Sequence, residues 1–205
     1  MLSSRALLLS GGITLLVAGA VCAQPYPTKP IRIVTSPAGG GGDFTSRLIA
    51  QAISGPLGQP VIVDNRGAGF IPGEIVSKSP PDGYTVLVNG STLWVFPLLR
   101  KAPFDPVRDF APISVAERTV FIVAVNPAVA AKSIRELIDL ANAKPGALNY
   151  ASGPAGGSSH LAGELFKAMA QVNIVRIPYT ASGAPLNALL GGEVQISFEG
   201  ATATT

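Results

Sequence analysis

Short apolar runs alternate with glycine-rich loops after a polar, proline-rich arm at residues 24–30. Residues 31–36 read Ile-Arg-Ile-Val-Thr-Ser between two prolines, which is typical of a buried strand. Residues 38–42 are rich in glycine, and apolar residues then recur at helical spacing over residues 44–53. Asp43 precedes this helix and is its expected N-cap. The pattern therefore predicts a strand, a glycine loop and a helix in succession.

The same alternation continues towards the end of the chain. Strands are predicted where short apolar runs precede polar or glycine loops, and helices where apolar residues follow helical spacing up to a stop signal. The further predicted strands are residues 61–63, 85–88, 120–125, 148–152, 174–177 and 194–198, and the further predicted helices are residues 134–143, 160–170 and 185–190. Alternating strands and helices predict an α/β fold with mostly parallel sheets.

Both halves of the chain follow this pattern, and residues 103–118 between them show little periodicity. The sequence therefore predicts an N-terminal α/β domain over residues 24–119 and a second α/β domain over residues 120–205. The last residues follow a predicted buried strand without a closing helix. We therefore expect the second domain to be incomplete and the chain to be truncated at its C-terminus.

Residues 1–23 have the composition of a secretory signal peptide. One positive charge precedes an apolar stretch that ends in small residues, which predicts cleavage between Ala23 and Gln24. We therefore expect an exported soluble protein. The alternative is a lipoprotein signal in which Cys22 becomes acylated, but residues 19–21 lack the leucine that usually stands three residues before such a cysteine.

Composition excludes several classes of function. One cysteine, Cys22, and one histidine, His160, cannot supply the ligands of a structural zinc site or an iron–sulfur cluster, so no metal site is expected. The formal net charge of +3 comes without a run of Lys or Arg, so nucleic acid is not an expected partner. Neither a P-loop nor a complete dinucleotide fingerprint occurs, so no nucleotide cofactor is expected.

Two glycine-rich stretches are the candidate binding elements. In open α/β sheets ligands bind at the carboxyl ends of the strands, where this sequence has Gly, Ser, Thr and Asn. Glycine lets backbone N–H groups approach a ligand, and a following helix N-terminus favours an anion. Residues 39–42 and 153–159 are therefore candidate carboxylate cradles. A tight turn explains residues 39–42 equally well when they are considered alone, and the second stretch favours anion binding.

Residues 158–160, Ser-Ser-His, raise the alternative of a secreted α/β hydrolase. No Gly-x-Ser-x-Gly elbow is present, and adjacent residues at a helix start point in different directions. The aspartates stand beside Gly, Pro or Asn, where caps and turns explain them. We therefore expect no enzyme and no catalytic residue, and His160 is expected to be a packing or hydrogen-bonding residue. A non-functional truncated relic is the third alternative.

A series of ordered motifs runs through residues 26–200. They are YPTKPIRIV at 26–34, PAGG at 37–40 with Asp43 and Arg47, LGQPV at 57–61 with NR at 65–66, PDGYT at 81–85, FDP at 104–106 with DF at 109–110, YAS at 150–152, HLA at 160–162, PY at 178–179 and LGGEV at 190–194. In this order they resemble the periplasmic solute-binding proteins of tripartite tricarboxylate transporters, also called Bug or TctC-like receptors.

The resemblance implies a type II periplasmic binding protein of the Venus-flytrap kind, whose two domains with mixed and parallel sheets close on a small carboxylate. It implies a monomer that performs no chemistry, uses no cofactor and delivers its solute to membrane transporter subunits. It also implies that the second domain and the strands returning to the first are incomplete here. The implied ligand-binding residues are Ala38, Gly39, Gly40, Asp43, Ser91, Ser152, Gly156, Gly157, Ser158 and Tyr179.

The chain departs from the family pattern at two places. Thr35 and Ser36 stand where the family usually has Pro-Phe, so a more polar cleft floor is expected. Pro154 and Gly157 stand where the family more often has Gly and a Ser or Thr, which removes one hydroxyl. The solute is left open among di- and tricarboxylates, acidic amino acids, aromatic acids and neutral amides, because backbone N–H groups do not identify what carries a carboxylate.

Overall fold

A computed structural model describes residues 26–180 and 183–201 of the chain. The strands are β1 Ile31–Thr35, β2 Val61–Asn65, β3 Thr85–Leu87, β4 Phe121–Val125, β5 Asn149–Ser152, β6 Val175–Pro178 and β7 Ile196–Gly200. The helices are α1 Gly41–Leu57, α2 Ile71–Ser77, α3 Thr92–Leu99, α4 Ile134–Ala143, α5 Ser158–Ala170 and α6 Ala184–Leu190. The predicted signal peptide and its cleavage point lie outside the described residues, as does the C-terminal end. Within the described ranges, no helix has the length and apolar character needed to cross a bilayer.

The strands form two sheets with the same internal order. In the first sheet β1 is central and pairs in parallel with β2 on one side and β3 on the other. In the second sheet β5 pairs in parallel with β6 and β7, and β4 is an antiparallel edge strand beside β7. The predicted α/β fold with mostly parallel sheets is confirmed, and each half of the chain contains one βαβαβ unit.

Each central strand ends at a topological switch point. From β1 the chain crosses through α1 to β2 and then returns through α2 to β3 on the opposite side of β1. The chain repeats this path from β5 through α5, β6 and α6 to β7. Such divergence leaves a crevice at the carboxyl end of the central strand, where ligands bind in open α/β sheets. The fold thus brings residues 36–40, here the first loop, and residues 153–157, here the second loop, to two such crevices.

The larger apolar core lies on the face of the second sheet that α4 and α5 cover. The fully buried Tyr150 packs edge-on against Phe198, with ring centroids 5.6 Å apart, and Leu137 of α4 closes the cluster. A smaller cluster containing Ala151 and Leu189 lies beneath α6. Side chains alternate along a strand, so neighbouring Tyr150 and Ala151 serve opposite faces of the same sheet.

Most predicted elements are present, with small shifts of their bounds. Helix α4 has the predicted bounds, and Ser133 caps it by accepting the Glu136 N–H, while Glu136 accepts the Lys132 N–H in return. Residues 100–120, which are all described, contain neither helix nor strand, in agreement with their weak periodicity. The division into domains at this segment stays a prediction.

The sequence patterns missed α2 and α3. Helix α3 is apolar on every side and contains Pro97, so it shows no one-sided periodicity and includes a residue that favours a break. The helix is nevertheless held by its neighbours: Phe96 stacks on Phe70, with centroids 4.6 Å apart, and buried Leu93 packs closely against Gly73 of α2. Tertiary packing therefore overrides the local signal in this region.

Gly163 of α5 provides a test of the larger core. A Cβ atom there would overlap Cε2 of the buried Tyr150, whose hydroxyl donates to Glu164 at 2.6 Å. We expect Gly163→Ala to lower the free energy of unfolding by about 1–3 kcal/mol, because the ring has no room to move. Urea unfolding measures the difference.

Gly55→Ala is the matched control, since Gly55 lies in α1 with no neighbouring atom within 4 Å of a Cβ. Its stability should stay within about 1 kcal/mol of the unmodified protein, because the gain in helix propensity opposes the restriction that Pro56 places on the preceding residue. A Gly163→Ala protein as stable as the Gly55→Ala protein would contradict this description of the core.

Candidate functional site

The first loop turns sharply before α1. Ala38 and Gly39 are exposed, and Gly39 has a φ of 83°, a left-handed conformation that favours glycine. Gly40 has an extended backbone, with φ −97° and ψ 170°, and is the N-cap of the 17-residue α1. The first N–H groups of α1 have no intrahelical acceptor and carry the positive end of the helix dipole. This end of the first sheet can therefore accept an anion.

The prediction that Asp43 caps α1 is wrong. Because Gly40 already has the extended N-cap conformation, the helix begins at Gly41 and Asp43 is its third residue. Its carboxylate turns back and accepts the Gly39 N–H at 3.0 Å. Its other oxygen accepts from Asn65 at 2.9 Å and pairs with Arg47 at 2.9 Å. Both oxygens are thus engaged in holding the first loop, and this arrangement gives no support to a direct contact between Asp43 and a carboxylate ligand.

The contacts of Asp43 also determine its ionisation. Burial by itself would raise the pKa of this carboxyl group, which is 6% exposed, but the hydrogen bonds from Gly39, Arg47 and Asn65 favour the anion and keep the pKa below its ordinary value. Since the pKa is lower in the folded than in the unfolded chain, ionised Asp43 stabilises the fold at neutral pH. This contribution is lost as the pH falls through the folded-state pKa.

Asp43→Asn should lower the free energy of unfolding at pH 7 by about 1.5–3 kcal/mol, because charged hydrogen bonds to the first loop are lost. The difference from the unmodified protein should shrink as the pH falls below about 4, where the carboxyl group of the unfolded chain takes up a proton, and should be lost once the pH passes the lower folded-state pKa. Urea unfolding at a series of pH values from neutral to acid measures this difference in the free energy of unfolding. Asp139→Asn, at an exposed position of α4, is the control and should stay within about 0.5 kcal/mol. A deficit for Asp43→Asn that is independent of pH would contradict the assignment.

Hydroxyl groups lie beneath the start of α1, where the sequence predicts a more polar cleft floor. Thr35 is fully buried, and its Oγ1 donates to the Val88 carbonyl at 3.0 Å. A Cβ atom at Gly42 would stand 2.8 Å from the Ser36 Oγ and 3.0 Å from the Thr35 Oγ1, so a side chain at this position would displace the Ser36 hydroxyl. The two hydroxyl groups thus lie close under the helix. That of Thr35 is hydrogen-bonded to Val88, the residue that follows β3.

The second loop is tied largely to itself. The Gly153 N–H donates to the Ser159 Oγ at 2.9 Å, and the Gly156 N–H donates to the His160 Nδ1 at 3.1 Å. The Gly157 N–H donates to the Pro154 carbonyl at 3.0 Å. In this conformation the N–H groups of Gly156 and Gly157, two predicted ligand contacts, are therefore engaged within the loop and the start of α5.

Ser91, at the start of α3, joins the two halves of the chain. Its hydroxyl lies 3.0 Å from both the Gly156 carbonyl, to which it donates, and the Ser158 Oγ. Gly156 comes so close to α3 that a Cβ atom would stand 3.3 Å from the Phe96 nitrogen. The fold thus brings Ser91, Gly156 and Ser158 together.

The remaining predicted residues lie around this group. Ser152 is fully buried at the end of β5, where its Oγ accepts from the Arg176 Nε at 2.7 Å and its carbonyl accepts the Tyr179 N–H at 2.9 Å. Among the described residues, no hydrogen bond joins Ala38, Gly39 or Gly40 to the second loop. As ligand contacts, the ten residues stay predictions.

Sequence reasoning missed three charged residues at the crevices. Glu117 accepts from the Thr45 hydroxyl, and its carboxylate lies 4.0 Å from a Cβ position at Gly41, beside the first turn of α1. Glu199 is the penultimate residue of β7, where burial raises its pKa although the Ser197 hydroxyl donates to it. Arg176 holds the start of the second loop. Thr45 and Glu117 are 72 positions apart in the chain, and no local motif joins them.

Residues 158–160 form no nucleophile–base pair. Ser158 contacts Ser91, Ser159 accepts from Gly153, and the His160 Nδ1 accepts from a backbone N–H. Burial and the charge of Arg176 lower the pKa of His160, so the ring is neutral and its Nδ1 can accept. The prediction that His160 is a hydrogen-bonding residue is confirmed. In the described part of the chain, no three side chains are grouped as metal ligands.

Known proteins resemble this chain in both sequence and structure. The family model described as "Tripartite tricarboxylate transporter family receptor" matches residues 45–204. Protein BugT of Bordetella pertussis is 35% identical over 189 residues, which cover 89% of this chain and 58% of BugT. The alignment therefore spans most of this sequence but only part of its relative.

Two solved structures support the fold. A protein described as a periplasmic transporter is 35% identical, with a TM-score of 0.82, and the match covers 87% of this chain and 62% of that protein. Rpa4515 of R. palustris, solved with adipate, is 32% identical, with a TM-score of 0.81, and the match covers 88% of this chain and 62% of Rpa4515. The chain thus spans about three fifths of the length of these relatives.

Proposed function

The chain belongs to the tripartite tricarboxylate transporter family of receptors, and we propose that it is a periplasmic receptor that binds a small carboxylate and delivers it to membrane transporter subunits. The observation that carries the proposal is the pair of glycine loops, each located at a topological switch point and each leading into a helix N-terminus. Export by a signal peptide cleaved after Ala23 and a monomeric state are parts of the same proposal.

The two loops offer complementary donors for a carboxylate. The first loop presents the first-turn N–H groups of α1, and the second loop adjoins the hydroxyls of Ser91 and Ser158. A carboxylate accepts through about four lone-pair positions, so it can bond to both kinds of donor. We propose that residues 24–119 and 120–205 act as two domains and that a solute entering between them replaces the contacts of Ser91 with the second loop.

Adipate is the first probe, because Rpa4515 was solved with it and the match covers most of this chain. Binding alone accounts for the arrangement: the serines and the histidine of residues 158–160 bond to other partners and not to each other. No observation favours the hydrolase alternative. The proposal therefore includes no catalytic step.

Gly40→Val tests the first loop. The extended backbone at Gly40 suits any residue, so valine keeps the turn while placing a branched side chain beside the first N–H groups of α1. We expect adipate to bind about tenfold more weakly, which corresponds to ~1.4 kcal/mol, because the close backbone approach is obstructed. Isothermal titration calorimetry measures the dissociation constant, and thermal unfolding reports whether the fold is intact.

Gly55→Ala is the control for this variant, since it changes a glycine near the other end of α1 and should bind adipate like the unmodified protein. Unchanged affinity in Gly40→Val would move the site away from the first loop. An unmodified protein that binds none of the linear dicarboxylates from malonate to suberate would contradict the proposed function.

Glu117→Gln tests the charge at the first loop. The Glu117 carboxylate beside the first turn of α1 should repel a solute carboxylate, whereas glutamine still accepts from Thr45. We expect adipate to bind about threefold more tightly, since like charges a few ångströms apart in water interact by about 1 kcal/mol. The gain should shrink at high salt.

Glu193→Gln removes an equal charge from an exposed turn after α6 and should leave adipate affinity unchanged. An equal gain in both variants would assign the effect to net charge rather than to the position of Glu117.

A further inference from the structure

Arg176 differs from the other cations of residues 26–180 and 183–201 in being neither exposed nor paired with a carboxylate. The other half-buried cations, Arg32 and Lys167, pair with Asp64 and Glu164. The unpaired cations elsewhere in this part of the chain are all exposed to solvent, which compensates their charge. A partly buried guanidinium without a counter-ion is unfavourable unless another group supplies the missing charge.

The position of Arg176 on β6 places its side chain next to the second loop. Arg176 on β6 is level with Tyr150 on β5, so both side chains share the sheet face that α5 covers. Its Nε donates to the Ser152 Oγ at 2.7 Å, and its Nη2 donates to the Gly153 carbonyl at 2.8 Å. The guanidinium thus holds the residues from which the second loop departs.

Part of the guanidinium is free to bind a further partner. It has five N–H groups, and the two hydrogen bonds use two of them. The others have no acceptor among the described residues, and no nitrogen of Arg176 is among the unpaired atoms fully shielded from solvent. Three N–H groups of the planar guanidinium thus have no acceptor in the part of the chain that the structure describes, and such a planar group matches a carboxylate.

The groups around Arg176 do not supply a negative charge. Tyr150 and His160 lie near enough for its charge to shift their titration, and both are neutral at pH 7. Glu164 is engaged by Tyr150 and Lys167. Glu199 continues the alternation of Ser197, which is level with Ala151, so its side chain lies on the opposite sheet face. The described residues therefore offer Arg176 no counter-ion of its own, and the rest of its guanidinium can interact with solvent or with a bound anion.

We propose that Arg176 is the counter-charge for an ionised carboxylate bound at the second loop, an inference that rests on the proposed function. Its charge makes the receptor discriminate against uncharged amides of the same shape. Its hydrogen bonds to Ser152 and Gly153 position the loop, and its charge sets the preference for an anion. The asymmetry between the loops strengthens this assignment, since the first loop has Glu117 beside it. Among the solutes that the sequence leaves open, this proposal favours carboxylates over neutral amides.

The test compares adipate with adipamide, an uncharged molecule of the same length, by calorimetry on the unmodified protein, Arg176→Gln and Arg176→Lys. The unmodified protein should bind adipate about tenfold or more tightly than adipamide. Arg176→Gln should weaken adipate by about tenfold and adipamide by less than about threefold, because glutamine hydrogen-bonds without charge. Arg176→Lys should retain most of the preference, because it keeps the charge.

Arg135→Gln is the matched control: it removes an exposed, unpaired charge from α4 and should leave both affinities unchanged. Raising salt from about 0.05 to about 0.3 M should weaken adipate binding more in the unmodified protein than in Arg176→Gln. These readouts separate the charge of Arg176 from its structural contacts, since loss of loop structure alone would weaken both ligands.

Equal losses for adipate and adipamide in Arg176→Gln, or equal affinities in the unmodified protein, would overturn the role of Arg176 while leaving a receptor in place. If Arg176→Gln does not unfold cooperatively, Arg176→Lys decides, and a preference for adipate that falls below about twofold would overturn the inference. Failure of the unmodified protein to bind adipamide or any linear dicarboxylate from malonate to suberate would overturn the proposed function as well.

Discussion

Parallel pairing on both sides of β1 and of β5 is the constraint on which the rest of the structure depends. From each central strand the chain crosses to a parallel partner on one side, and the next crossing brings it to a parallel partner on the other side. The loops at its carboxyl end then diverge and leave a crevice. Because both sheets repeat this order, the chain forms two crevices, and the candidate binding residues follow from the strand order before any side chain is considered.

Opposite charges hold the two loops in place. Asp43 accepts the N–H of Gly39 in the first loop, whereas Arg176 donates to the carbonyl of Gly153 in the second. Asp43 is paired with Arg47, so its charge is satisfied inside the protein, but Arg176 has no carboxylate partner among the described residues. The charge that anchors the first loop is therefore paired within the protein, whereas the charge that anchors the second loop has no carboxylate partner among the described residues.

Local patterns predicted an element well where its ends carry their own signals. The predicted bounds of α4 rest on its helical spacing and on the Lys-Pro-Gly stop that follows it, and the structure adds the Ser133 cap at its start. The cap of α1 was assigned wrongly to Asp43, since an aspartate before an apolar run reads as an N-cap when the extended backbone of Gly40 is not known. Helix α3 was missed because the contacts that stabilise it, such as Phe70 on Phe96, join residues far apart in sequence.

The sequence by itself determined the α/β class, the succession of strands and glycine loops, the family resemblance and the two candidate binding stretches at residues 39–42 and 153–159, because each depends on short-range spacing and residue type. Only the tertiary structure decided which groups share a crevice. It placed Ser91 against Gly156 and Ser158, Glu117 beside the start of α1 and Arg176 under the second loop. These neighbours come from different strands and helices, and only the packing of the sheets brings their charges and hydroxyls within bonding distance.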